Sequence, residues 1–142
     1  MKSLEEQIGG RCKHFNGRGN TTCDAGVVYL TVDSKDPALV GFAKMPCFRE
    51  GEAVPCEKRH FPTAEEVAAE CAEIRERSRR LQVGVRAASE DAAKRGFKKG
   101  NGGRGEVPCP VCTMGSIMYS VSGYNGHIHG RCSTAECVSW MQ

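Results

Sequence analysis

The chain has 142 residues, of which 26% are charged, 39% hydrophobic and only 6% aromatic. That leaves room for one modest domain or two small ones and argues against wholesale disorder and against a large aromatic core. There is no run of 18 apolar residues, so no membrane span is expected. The opening Met1-Lys-Ser-Leu-Glu-Glu6 has no apolar stretch of a secretory signal. The net charge of +3 is unevenly spread. Residues 1–74 carry 9 Lys/Arg against 12 Asp/Glu, 75–104 carry 10 against 3, and 105–142 carry 1 against 2. A basic belt in mid-chain points to a polyanion, nucleic acid first; a solvated helix face followed by a soluble linker is the alternative. A reducing cytoplasm is the expected location, and nine cysteines there are expected to be metal ligands rather than disulfides.

Residues 1–62 form an irregular, cysteine-rich module holding Cys12, Cys23, Cys47 and Cys56. Its clearest strand candidate is the β-branched run from Val27 to Val32, and Asp36-Pro37 marks a turn. A long amphipathic helix is expected over 63–95. Thr63 and Glu66 make a capping box at its start, and Gly96 stops it. Val67, Cys71, Ile74, Ser78, Leu81, Val85, Ala88 and Ala92 recur at helical spacing. The seam is poor, because Ser78 and two alanines interrupt it and Gly84 weakens its middle. Packing on its own protein is the first expectation, and a dimer through this helix is the second. Residues 96–107 are expected to be a basic, flexible, glycine-rich linker. Residues 108–142 then read as a separate small unit. Ile117–Val121, His127–Arg131 and Val138–Met141 are its strands, with a turn over Ser122–Gly126. The predicted fold class is a small, metal-stapled α+β protein: an N-terminal zinc-binding module, a long central helix and a C-terminal zinc ribbon of short antiparallel strands.

Cysteine spacing carries the chemistry. Cys109-Pro-Val-Cys112 is followed, across a hairpin, by Cys132-Ser-Thr-Ala-Glu-Cys137. Two close pairs of soft thiolate ligands are the pattern of a closed tetrahedral zinc site, with no place left for a reacting water. So short a unit cannot bury enough apolar surface to fold alone, so the metal must supply the missing stability. The second quartet, Cys12, Cys23, Cys47 and Cys56, is expected to hold another zinc, making two per chain. His14 or His60 can replace a cysteine there, and an iron–sulfur cluster is the rival cofactor. Cys71 remains on the helix as a packed thiol.

Cys109-Pro110-Val111-Cys112, Gly115, the hairpin and the looser Cys132–Cys137 pair resemble the zinc ribbons of bacterial type I topoisomerases. That resemblance covers about a quarter of the chain and implies binding of single-stranded DNA. Gly126-His-Ile-His-Gly-Arg-Cys132, with Cys137-Val-Ser-Trp-Met141, looks like the C-terminal ribbon of small uncharacterised phage and prophage proteins. Arg11-Cys-Lys-His-Phe-Asn-Gly17, with Cys23 and Gly26, looks like the start of other small phage-encoded proteins. These likenesses imply a phage setting and the cytoplasm of a host cell, without an assigned activity.

No enzyme is expected. Pro108-Cys-Pro-Val-Cys112 matches half of the zinc deaminase signature, but the His-x-Glu half is missing, since His14 is followed by Phe15-Asn16 and His60 by Phe61-Pro62. No His-Glu-x-x-His or Gly-x-Ser-x-Gly occurs. His127 and His129 alternate beside Arg131, an arrangement that suits an exposed ribbon face and, as a minor alternative, a small nuclease. The expected function is non-catalytic binding of DNA or RNA. The candidate contacts are Arg75, Arg79, Arg86, Lys94, Lys98, Lys99, Arg104, Tyr124 and Arg131. The alternative from another class is an inhibitor or adaptor that binds a host defence or transcription complex.

Overall fold

The computed structural model describes residues 1–17, 23–27, 47–49 and 56–141. The Val27–Val32 strand candidate and the Asp36-Pro37 turn lie outside the described residues, apart from Val27 itself. The chain divides into two compact units, Met1–Glu73 and Ile74–Gln142. Among the described residues, no helix is long and apolar enough to cross a membrane.

The first unit opens with α1 (Leu4–Gly9). Ser3 caps it: its hydroxyl accepts from the Glu6 N–H at 3.1 Å, and its own N–H donates to the Glu6 carboxylate at 2.6 Å. This reciprocal pair satisfies two of the donors that a helix start leaves orphaned. With Ile8 as its single buried residue, α1 has almost no periodic signal. Past α1, Arg11 bridges to Phe48, and the Phe15 and Phe48 rings meet edge to face at 5.0 Å.

Helix α2 runs from Ala64 to Lys94, within a residue of the expected span at each end. Thr63 and Glu66 form the anticipated capping box. The ten residues from Ala64 to Glu73 belong to the first unit. There Glu66 pairs with Lys13, and Glu70 with Arg11 at 2.8 Å. Cys71 is buried.

The second unit contains the rest of α2 and a four-stranded antiparallel sheet in the order β1-β2-β3-β4. Its strands are β1 (Gly103–Pro108), β2 (Ser116–Val121), β3 (Ile128–Cys132) and β4 (Ser139–Trp140). Three of these were expected. The fourth, β1, corrects the flexible linker over 96–107: from Gly103 onward that stretch is a strand paired with β2, Gly103 opposite Val121 and Pro108 opposite Ser116. Lys98 and Asn101 form a bridged turn ahead of it, and Phe97 packs on the core. The glycines have a steric role. A Cβ on Gly103 would stand 2.4 Å from the Phe97 ring, one on Gly105 would stand 2.3 Å from the Tyr119 hydroxyl, and one on Gly130 would stand 2.4 Å from the Trp140 ring. The sheet is glycine-rich where aromatic rings lie against its backbone.

The core of this unit consists of Ala88 and Ala92 from α2, Ile117, Tyr119, Val121 and Trp140 from the sheet, and Cys109 and Cys132, with Leu81 and Val85 packed against it. The lower half of the helical seam is therefore used within the chain, as first expected. Gly84 is part of that packing: a methyl there would meet Val138, Ile117 and Trp140 at 3.3–3.5 Å. The Tyr119 hydroxyl donates to Asp91 at 2.5 Å, and Arg95 donates to the same carboxylate oxygen at 2.7 Å.

Candidate metal centre

Strand β1 delivers Cys109 and β3 ends on Cys132, so sheet register brings one cysteine from each pair together. The chain after Cys109 turns back on itself. The Cys109 N–H donates to the Gly115 carbonyl at 2.8 Å, and the Thr113 N–H donates to the Cys109 carbonyl at 3.1 Å. Thr113 takes the left-handed conformation, φ 57°, in this turn. The Cys132 loop has the same character: the Cys137 N–H reaches back to the Thr134 carbonyl, and Glu136 is left-handed at φ 56°. Gly115 lets the two loops close, since a Cβ there would stand 2.5 Å from the Thr134 hydroxyl and 3.2 Å from the Cys132 sulfur.

The sulfurs of Cys109, Cys112, Cys132 and Cys137 all lie within 4.8 Å of one another. The Cys109–Cys137 and Cys112–Cys132 sulfur pairs are each 3.7 Å apart. In a tetrahedral zinc site with Zn–S bonds of about 2.3 Å, neighbouring sulfurs stand about 3.8 Å apart. Two of the sulfur pairs thus match the spacing of a tetrahedral zinc site, and the cluster can hold a metal ion such as zinc. Cys109 and Cys132 are buried and the other two half-buried.

Neighbouring groups tune the sulfurs. Cys112 is drawn down to about 6, first by the Thr134 hydroxyl and then by the Met114 backbone N–H, with Gly115 adding to the effect. Cys137 is pushed up to about 12 by burial and then by the three thiols around it. Four thiolates repel one another at these distances. A dication relieves that repulsion, so loading the site displaces protons. The Thr134 N–H also points at the Cys132 sulfur at 3.4 Å, and Arg80 of α2 donates to the Cys137 carbonyl at 3.2 Å. Gly115 is among the residues that carry the ribbon resemblance, whereas Thr134 and Arg80 were not given a role at this site from the sequence. Of those two, only Thr134, lying between the two cysteines of its pair, carried a local signal.

In the first unit, Cys12 and Cys23 are buried while Cys47 and Cys56 are half-buried. Cys47 is pushed up to about 11 by burial, with Cys12, Cys23 and Cys56 adding to it. Among the described residues, the C-terminal quartet alone brings three or more ligand atoms within 4.8 Å. His14 and His60 take part through their backbones: the His14 carbonyl accepts from the Asp24 N–H, and the His60 carbonyl accepts from the Lys13 N–H.

The candidate nucleic-acid contacts fall into two groups. On α2, Arg79 is held by Glu76 and Arg86 by Glu90, each at 2.8 Å, so their charge is matched locally. Arg75 and Lys94 are exposed. Lys98, Lys99, Arg104 and Arg131 are also exposed and form no ion pair among the described residues. Register sets Arg104 opposite Ser120 and Ser120 opposite His129, with Arg131 two residues further along β3. Alternation puts these side chains on the sheet face opposite Ile117 and Tyr119. Tyr124, at the tip of the β2–β3 hairpin, is 89% exposed. The hairpin is fastened to the Lys98–Asn101 turn, where the Gly100 N–H donates to the Gly123 carbonyl at 2.7 Å.

No family model matches the chain, and no curated protein or solved structure shows a significant similarity to it.

Proposed function

We propose that this chain is a non-catalytic zinc-ribbon protein that binds nucleic acid, with zinc held by Cys109, Cys112, Cys132 and Cys137. One observation carries the reading. The surface built from residues 98–104 and 118–131 bears Lys98, Lys99, Arg104, Arg131, His127 and His129. Glu106, two residues along β1 from Arg104 and opposite Met118, lines a groove with Arg104 and Arg131 and makes no ion pair with either arginine among the described residues. Arg79 and Arg86 on the helix are paired with Glu76 and Glu90, whereas this patch keeps an excess of positive charge, as contacts to phosphate require. Tyr124, exposed beside the lysines, offers a ring for a base to stack on. The zinc contributes rigidity: it fixes the hairpin that carries the patch. The setting that fits is the cytoplasm of a phage-infected or prophage-bearing cell, which the resemblance of the ribbon suggests.

The test is binding of the full chain to fluorescent single-stranded and duplex oligonucleotides over a salt series. Affinity should fall steeply with salt. Replacing Arg104 and Arg131 by Glu should reduce it at least tenfold while leaving the metal content unchanged. Absence of binding at low salt would end this reading.

Met118 and Met141, both exposed and lining one shallow groove with Arg104 and Arg131, favour the second reading, an adaptor for a host protein complex. Recovery of one stoichiometric, nuclease-resistant partner from host lysate would select it.

A further inference from the structure

The first unit holds four thiols that the ribbon centre does not use. We propose that Cys12, Cys23, Cys47 and Cys56 ligate a second structural zinc, in a four-thiolate site internal to Met1–Glu73. The backbone ties all four thiol-bearing segments to the turn at Cys12. The Cys12 N–H donates to the Cys47 carbonyl, the Lys13 N–H to the His60 carbonyl at 2.8 Å, and the Asp24 N–H to the His14 carbonyl at 2.9 Å. Segments far apart in sequence thus meet at one place.

The local form of each segment is that of a ligand loop. Cys12, Cys23 and Cys56 each open a tight turn, accepting on their carbonyls the N–H of Phe15 at 3.0 Å, Gly26 at 2.8 Å and Arg59 at 3.2 Å. Gly26 completes its turn at φ +76°, a conformation that costs glycine nothing. The His60 N–H points at the Cys12 sulfur at 3.2 Å. It is the counterpart of the Thr134 N–H on Cys132. No three of these sulfurs lie within 4.8 Å of one another, unlike those of the ribbon, so ligation must draw them together.

Among the described residues, the buried apolar ones of this unit are Ile8, Cys12, Cys23 and Cys71. Two of these four are proposed ligands, so a metal would tie this described core together directly. Ligation would close the long connections between successive cysteines, a constraint whose benefit grows with loop length.

The experiment is zinc stoichiometry of the untagged full chain by native mass spectrometry and elemental analysis. Two zinc ions per chain are expected. C12S/C56S and C109S/C132S should each retain one, and in cobalt-substituted protein each pair should halve the thiolate-to-cobalt charge-transfer absorbance. If C12S/C56S does not fold, the wild-type stoichiometry decides alone. One zinc per chain in the wild type would overturn the proposal. So would full metal loss in C109S/C132S, or iron with visible colour in the first unit.

Discussion

Thr134 does two things for the ribbon with two atoms: its hydroxyl supports the Cys112 sulfur and its N–H supports that of Cys132. Thr134→Ala removes only the first. Cys112 should then be less acidic, so protons compete better for its sulfur and the pH at which half the metal is released should rise. Metal retention measured over a pH series checks this. Tyr119 is the other residue with a pH signature. Burial, and then its bond to Asp91, push its phenol up to about 12, so its neutral form is held in the folded state. That contribution is complete below the ordinary tyrosine range near 10 and is lost as pH rises toward about 12. Asp91 works in the opposite sense: the Tyr119 hydroxyl and then Arg95 hold it below the usual carboxylate range. Its contribution is present above that range and lost on acidification. Tyr119→Phe should remove the alkaline loss and weaken the acid one. Denaturation midpoints for the two proteins between pH 2 and 12 would show it.

At the scale of elements, α2 and three of the ribbon strands were legible because their signals are local. Thr63, Glu66 and Gly96 bracket a helix in plain sequence, and paired cysteines around a hairpin announce their partners. Strand β1 was not legible, because its glycines answer to rings elsewhere in the chain. Gly103 seats Phe97 and Gly105 seats Tyr119, so a composition that suggests flexibility reflects close packing instead. Short α1 was missed because it has only two apolar residues, Leu4 and Ile8, and buries one of them, although its capping box stands in the sequence. The part of the basic belt that falls on α2 was visible as arginines, but their i±3 and i±4 acids decide how much of that charge is spare. The packing of rings on glycine gives a direct prediction. Gly130→Val places branched carbons where the Trp140 ring already lies and should cost about 1–3 kcal/mol or more of stability. Leu81→Glu with Val85→Glu should likewise destabilise the second unit, because both residues pack on its core. Urea unfolding followed by circular dichroism measures both.

For the molecule as a whole, the ribbon cysteines that could hold a metal ion are also part of the hydrophobic core, Cys109 and Cys132 inside it and Cys112 and Cys137 packed against it. Losing the metal and losing the core should therefore be one event. Structural zinc is worth roughly 10–16 kcal/mol in small zinc peptides, more than a domain's whole margin of stability. A strong chelator should thus unfold the Ile74–Gln142 unit outright. Trp140 is the only tryptophan and is buried, so the emission of the intact protein should shift to the red in step with metal release. Metal loss without that shift would mean that the sheet stands without its ligand cluster.

The position of β1 at the margin of the sheet bears on the protein's behaviour at high concentration. An outer strand offers unpaired backbone groups to any neighbour and invites strand-by-strand growth into aggregates. Along this margin Arg104 and Glu106 alternate and Pro108 ends the run, a charged and proline-stopped border that discourages pairing with a second copy. The same arginine that we assign to phosphate contact thus also guards solubility. Replacing Arg104 and Glu106 together by Val should leave the monomer folded while making its light scattering climb with concentration.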